Sequence, residues 1–314
     1  MQVRRSLLSL AAVGVLTIAT GCAGDDLSDD EGDSGPSASA AGPVTVATQA
    51  FDEALLVTAM YQAVLEDAGY DVTVKEVGRR DIYVAQMPDS VDIAPEYVGG
   101  LADFVNTEAN GPDAEPITTA EADATIEAAT PLLEAKGLTL LEPSPATSAN
   151  AYFVTEEFSE TEGATRISDL EGSSVVLAAA EDCPGRADCE AGLRQTYGID
   201  VTEVLPLGFQ SPQTYQAVLD GEAQVGQTST LDVTLADQGL VMLEDDRGIQ
   251  PAQNLVPLVS SDFLAEHEDV AGPLEDLMAE LDNETLGELI LRVSVDREKP
   301  EDVASEFVAE AGLT

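Results

Sequence analysis

From residue 43 onward, apolar residues recur in short blocks that switch repeatedly between strand and helix periodicity. Val44–Thr48 reads as a short apolar strand. Over Phe51–Gly69, Leu55, Leu56, Ala59, Met60, Ala63, Val64 and Ala68 recur at helical spacing, which predicts a helix that Gly69 ends. Tyr70–Val77 alternates as a second strand, Asp81–Met87 is a short helix, and Val91–Ala94 is a third strand. Strand and helix taken in turn argue for an α/β domain with helices over a mostly parallel sheet.

The alternation continues. Ala120–Lys136 is an amphipathic helix stopped by Gly137, with a strand at Leu138–Leu141 behind it. Strands follow at Ala151–Thr155, Ser174–Ala178, Ala223–Gly226 and 254–259. Short helices fall at Ile167–Leu170, Cys189–Tyr197 and Pro212–Asp220, and three more close the chain at Leu274–Glu280, Asn283–Val293 and Pro300–Ala311. The series is long enough for two α/β lobes. We place lobe I at residues 43–147 plus 253–314 and lobe II at 148–252. Ligands of such folds lie beyond the carboxyl ends of strands and at domain interfaces, so a cleft between the lobes is the expected site.

The first 42 residues follow other rules. Arg4 and Arg5 precede an apolar run, Leu7–Ala19, that ends at Ala19-Thr20-Gly21-Cys22. A basic start, a short apolar core and small residues read as a secretory signal peptide over residues 1–22, too short for a comfortable membrane span. Small residues directly before a cysteine resemble the lipobox of bacterial lipoproteins, which makes Cys22 the candidate lipidation site. Residues 23–42 are rich in Asp, Ser, Gly and Ala, and lack the apolar surface needed to offset chain entropy. They read as a disordered acidic tether, holding a domain on the extracytoplasmic face of the membrane through a lipid anchor.

Composition narrows the partners. Hydrophobic residues make up 44% of the chain, enough for a real core, while aromatics are 4% and Trp is absent. Sixty acidic residues against 13 basic ones give a formal net charge of −47, which repels nucleic acid and anionic headgroups. Acid-rich, Lys-poor surfaces suit a salty environment, where counterions screen self-repulsion.

Cys183 and Cys189 flank a loop with Pro184, Gly185 and Arg186 between them, a spacing that favours a small disulfide-closed loop in an exported protein. A metal site is disfavoured, since no His or further Cys stands near to complete it, and no cofactor is implied. A secreted hydrolase is disfavoured too. The single histidine, His267, sits in a charged stretch with no serine-elbow motif nearby. A ligand-sensing or adaptor lipoprotein without transport is the remaining alternative.

Five segments occur in order: Thr48-Gln49-Ala50-Phe51-Asp52-Glu53; Asp92-Ile93-Ala94-Pro95-Glu96-Tyr97-Val98-Gly99; Arg186-Ala187-Asp188 with Gly192-Leu193; Leu243-Glu244-Asp245-Asp246; and Val303-Ala304 with Phe307. Together they resemble the extracytoplasmic substrate-binding proteins of ABC importers for glycine betaine, choline and related quaternary amines. The resemblance implies a two-lobed periplasmic-binding-protein-like fold of type II. It also implies a monomer that captures a small solute and delivers it to an ABC permease, with no chemical conversion. In that family tyrosines cage the trimethylammonium group through cation–π attraction, and a cationic side chain holds the carboxylate of a betaine.

Carried over by position, Tyr97 matches a cage tyrosine and Arg186 the carboxylate-binding arginine. Gln49, Ser144, Thr228 and Gln253 stand where the family has a basic or aromatic side chain. Tyr152 and Tyr215 are left as sources of rings, although Tyr215 reads more simply as helix packing. If Ser144, Thr228 and Gln253 face the cleft, the pocket presents hydroxyls and amides in place of rings. A solute with its own donors and acceptors is then expected, and choline should bind poorly. Simpler expectations stand beside these: Glu96 caps a following helix, Arg186 pairs with Asp182 or Asp188, and the run 244–246 is a solvated turn.

Overall fold

A computed structural model describes residues 41–87 and 89–314; the signal segment, Cys22 and nearly all of the tether lie outside the described residues. Among those described, no helix is long and apolar enough to cross a membrane.

The first lobe begins β1 (Gly42–Thr48), α1 (Asp52–Asp67), β2 (Tyr70–Glu76), α2 (Arg80–Val84) and β3 (Ile93–Tyr97). It continues through α3 (Val98–Asn110), α4 (Ala122–Glu134) and β4 (Leu138–Leu140). The chain then crosses into β5 (Asn150–Thr155), α5 (Glu156–Glu162), β6 (Ser174–Ala179), α6 (Glu190–Gln195) and β7 (Asp200–Pro206). The second lobe ends with α7 (Pro212–Leu219), β8 (Val225–Ser229) and β9 (Leu240–Leu243). A second crossing leads to β10 (Leu255–Ser260), then α8 (Ser261–Glu266), α9 (Ala271–Ala279), α10 (Asn283–Ser294) and α11 (Pro300–Glu310).

Each lobe holds one five-stranded sheet, of order β2-β1-β3-β10-β4 and β7-β6-β8-β5-β9. Four strands in each run in one direction, as the alternation predicts, and the fifth runs against them. β10 runs antiparallel to β3 and β4, and β5 runs antiparallel to β8 and β9. The sheets are therefore mixed, because a strand that has just crossed from the other lobe enters its sheet from the opposite end.

Both faces of each sheet are covered. In the first lobe Val44 and Val46 of β1 join Leu56, Met60 and Tyr61 of α1 in one core, while Ala47 turns to Met87, Leu101 and Leu133 on the other face. In the second, Tyr152 and Val154 of β5 enter one core and Phe153 the other, the parity expected of a strand.

Several elements carry weak local signals. α3 begins Val98-Gly99-Gly100, a poor helix start by propensity. Its position follows from packing: the Gly99 amide donates to the Ala252 carbonyl at 2.9 Å, and a Cβ on Gly99 would lie 2.6 Å from that oxygen. β7 is an edge strand with several exposed residues, so its apolar pattern is diluted.

The two crossings run side by side. Thr147 forms an antiparallel bridge with Asn254, Ser148 N–H donates to the Gln253 carbonyl at 2.9 Å, and Leu255 N–H to the Ala146 carbonyl at 3.1 Å. Asn283, at the start of α10, accepts from Thr147 N–H at 2.8 Å and donates to the Thr230 carbonyl at 2.9 Å. This pairing fastens the lobes along one line and leaves open the side toward which β1, β3, β6 and β8 direct their carboxyl ends.

Candidate functional site

On that side lies a cleft open to solvent. The first lobe supplies Glu53 from the first turn of α1. The second supplies Arg186 and Asp188 from the disulfide loop, Phe209 and Gln210 from the turn after β7, and Ser229 from the end of β8. Ser148, Asn150, Gln250 and Gln253 line the floor from the two crossings.

Glu53 is the most constrained of these groups. It accepts a hydrogen bond from the Tyr97 hydroxyl and another from Ser148 Oγ at 3.3 Å. Burial raises its carboxyl above the ordinary value of 4.5, and those two hydrogen bonds oppose the rise. Tyr97 is held well above the usual phenol range, first by burial and then by the neighbouring Glu53 charge, so it stays protonated as the donor.

Opposite stands Arg186, inside the ring closed by the Cys183–Cys189 disulfide. Its guanidinium is already engaged. Nε donates to Asp188 Oδ1 at 2.9 Å, Nη2 to Asp188 Oδ2, and Nη1 to Asp182 Oδ2 at 2.9 Å. The hydrogen bond to Asp188 is the main reason its pKa is raised. Both sequence readings of Arg186 thus meet at one residue: it pairs with two aspartates and it lines the cleft. Asn150 Nδ2 donates to Asp188 Oδ2 at 3.0 Å, and Gln250 Nε2 to the Asp188 carbonyl at 2.8 Å, so this corner satisfies itself. Arg186 is the only cationic side chain lining the cleft among the described residues; it is paired with two carboxylates, Asp182 and Asp188, and Glu53 lines the same cleft.

Other expected site residues take different places. Tyr97 and Gln49 share a small cavity beside Glu53, with Phe51 at its edge. Gln253 reaches the cleft, and its Oε1 accepts from Gly100 N–H at 3.2 Å. Tyr152 lines a neighbouring, mostly apolar cavity with Met242 and Leu243, and its hydroxyl donates to the Asp188 carbonyl at 2.8 Å.

Ser144 does not line the cleft. It is buried, donates to the Leu281 carbonyl at 2.5 Å, and accepts from Ala146 N–H at 2.9 Å. Thr228 is also turned away. It is fully buried, donates to Asp232 Oδ2 at 2.6 Å, and lies 3.1 Å from the Tyr215 hydroxyl, because along β8 it is Ser229 that faces the cleft. Two of the three polar replacements therefore do not present their hydroxyls to the cleft. Tyr215 stacks on Phe153 with ring centroids 5.2 Å apart, in keeping with a packing role.

Glu96 does more than cap the following helix: its Oε2 accepts from the backbone N–H of Tyr97, the N-cap residue of α3, at 3.1 Å. Its carboxylate, 1% exposed, also takes two hydrogen bonds from Arg80, Nε at 2.7 Å and Nη2 at 2.8 Å, and another from the Tyr83 hydroxyl. Arg80 Nη1 continues to the Gly100 carbonyl at 3.1 Å. Burial lowers the Arg80 pKa, but the bonds and charge of Glu96 outweigh that effect and raise it. The network grips both ends of the β3–α3 turn and so sets where Tyr97 points. The run 244–246 is likewise more than a solvated turn. Asp245 accepts from the Tyr197 hydroxyl, from Ile249 N–H at 3.1 Å and from Gln250 N–H at 2.8 Å.

Phe209, Gln210, Asn150 and Gln250 had no sequence signal of their own: the first two and Gln250 lie in turns or crossings, and Asn150 is the first, polar residue of β5, one position before the apolar run.

Two α/β lobes joined by paired crossings, with an open cleft at the carboxyl ends of their strands, define a solute-binding protein of the two-lobed periplasmic type. Residues 42–310 match the family described as the substrate-binding domain of ABC-type glycine betaine transport systems, and the chain belongs to that family. A glycine-betaine-binding protein of Pseudomonas aeruginosa is 27% identical over 275 residues, which span 84% of this chain and 86% of that protein. Glycine betaine-binding protein YehZ of Escherichia coli is 26% identical over 290 residues, 88% of this chain and 92% of that one. The apo structure of YehZ matches with a TM-score of 0.72 at 25% identity, covering 87% of this chain and 99% of its own. The chain is accordingly a solute-capturing component of an ABC transport system.

Proposed function

We propose that the cleft captures a quaternary-amine solute of the glycine betaine and choline class. Residues 43–147 with 253–314 and residues 148–252 act as the two closing bodies, and the closed form is the one presented to a membrane permease. Lipid on Cys22 holds the chain, as a monomer, on the extracytoplasmic face.

The observation that carries this reading is the charge arrangement of the cleft. A carboxylate from each lobe, Glu53 and Asp188, borders one cavity in which the sole cationic side chain among the described residues, Arg186, already has two carboxylate partners. Such a site attracts a positive group. A betaine carboxylate is accommodated on the solvent side of Arg186, by exchange with the more exposed Asp182.

A thermal-shift screen of glycine betaine, choline, carnitine, ectoine, proline and polyols tests the proposal, followed by calorimetric titration of the hits. A ligand bound only by the folded state raises the melting temperature, by about 2.7 kcal/mol of stability at a hundredfold excess over Kd. Glycine betaine or choline is expected at the top of the series. A rise confined to polyols or to amino acids lacking a quaternary nitrogen removes the proposal.

A further inference from the structure

We infer that Phe209 supplies the aromatic face on which the quaternary nitrogen rests, a specificity-determining role that no familiar cage position of this sequence predicts. The inference rests on the quaternary-amine reading above. Phe209 is the one aromatic ring among the described residues that line the cleft, and it faces that cleft while 44% exposed. A single exposed apolar side chain is ordinary on a protein surface; what sets Phe209 apart is that it lies in the cleft, on a turn whose backbone is held in place.

The turn carrying Phe209 is clamped on both sides. Leu207 and Gly208 each donate an amide hydrogen to the Ala179 carbonyl at 3.0 Å. Beyond the ring, Ser211 Oγ donates to the Leu207 carbonyl at 2.7 Å and accepts from Thr214 N–H at 3.1 Å. Thr214 Oγ1 in turn donates to the Gly208 carbonyl at 2.7 Å. Between the clamps Gly208 has φ +107° and Gln210 has φ +47°. A positive φ is ordinary for glycine and unfavourable for glutamine, and such residues collect at ligand clamps and switch regions. The turn is thus rigid, locally strained, and aimed so that its apolar ring is left uncovered in the cleft.

The ring shares that cavity with Glu53. A quaternary nitrogen has no hydrogen to donate, so it gains from the negative face of a ring and from a carboxylate at a distance, but not from hydroxyls or amides. Phe209 and Glu53 offer that combination from opposite lobes, and closure would bury the ring against the ligand.

Titration of wild type, Phe209→Leu and Phe209→Trp with choline, glycine betaine and 3,3-dimethylbutan-1-ol, the uncharged isostere of choline, separates cation–π attraction from apolar contact. Thermal unfolding of each variant checks that the exposed side chain was not needed for folding. Phe209→Leu is expected to bind choline about tenfold more weakly, with Phe209→Trp close to wild type. The preference of wild type for choline over its isostere should collapse in Phe209→Leu. Unchanged choline affinity and preference in Phe209→Leu overturns the inference and leaves the quaternary-amine reading intact. A wild type that binds neither choline nor glycine betaine overturns both.

Discussion

Tyr97 and Glu53, 44 residues apart, are joined by a hydrogen bond in which the phenol at the end of β3 donates to the carboxylate in the first turn of α1. The bond ties the strand end to the helix start at the edge of the cleft. It also keeps a carboxylate in a place where burial opposes its charge.

That opposition has a definite pH signature. The folded-state pKa of Glu53 is raised, so the folded chain holds this proton more tightly than the unfolded chain does. Its favourable contribution is complete below the unfolded value near 4.5 and is lost as pH rises through the folded pKa. Glu53→Gln removes the titration while keeping an acceptor for Tyr97. The melting temperature of the variant should gain on wild type as pH climbs above 4.5 and level off once the folded carboxylate has ionised. A constant difference across the acid range would count against a strained carboxylate.

Charge in the cleft should sort ligands. Arg186→Ala removes a cation that is 39% exposed and leaves Asp188 uncompensated, so choline should bind more tightly and glycine betaine more weakly. Partial screening keeps each change near about 1 kcal/mol. Opposite movement of the two dissociation constants, read by calorimetry, is the expected result; parallel loss would mean that the loop had collapsed.

The Arg80–Glu96 pair should matter for stability more than any surface ion pair. Arg80→Met leaves a carboxylate that is 1% exposed without its bidentate partner, which should cost about 3–5 kcal/mol. Adding Glu96→Gln should recover part of the loss, because the uncompensated charge is then gone. Urea unfolding of the single and double variants measures both. A loss below about 1 kcal/mol in Arg80→Met would place the pair among ordinary surface ion pairs.

Gly226 in β8 is fixed by a ring. A Cβ there would lie 2.2 Å from the edge of Phe153, which is fully buried and stacked on Tyr215. Gly226→Ala should destabilise by about 1–3 kcal/mol through overpacking. Phe153→Leu in the same chain should relieve part of that conflict. Additive losses in the double variant would show that ring and glycine do not compete for space.

Much of the architecture could be read from local pattern. The helix of α1 and the strands β1 and β2 follow from apolar spacing over a few turns, since burial of one face depends only on which residues share it. The acidic balance, the paired cysteines and the family motifs are also written in the chain itself. Side-chain direction at the ends of elements is a different matter. Ser144 turns inward because its hydroxyl meets the Leu281 carbonyl, 137 residues away in sequence. Thr228 misses the cleft because register against β5 assigns the next residue, Ser229, to that side. Helix α3 forms through a Gly-Gly start because the Ala252 carbonyl comes close to Gly99. Phe209 has no periodic neighbours, and its exposure is set by clamps reaching to β6 and α7. Periodicity is a property of neighbours along the chain, whereas the lining of a cleft is decided by contacts between segments far apart in it, and only the folded structure brings those together.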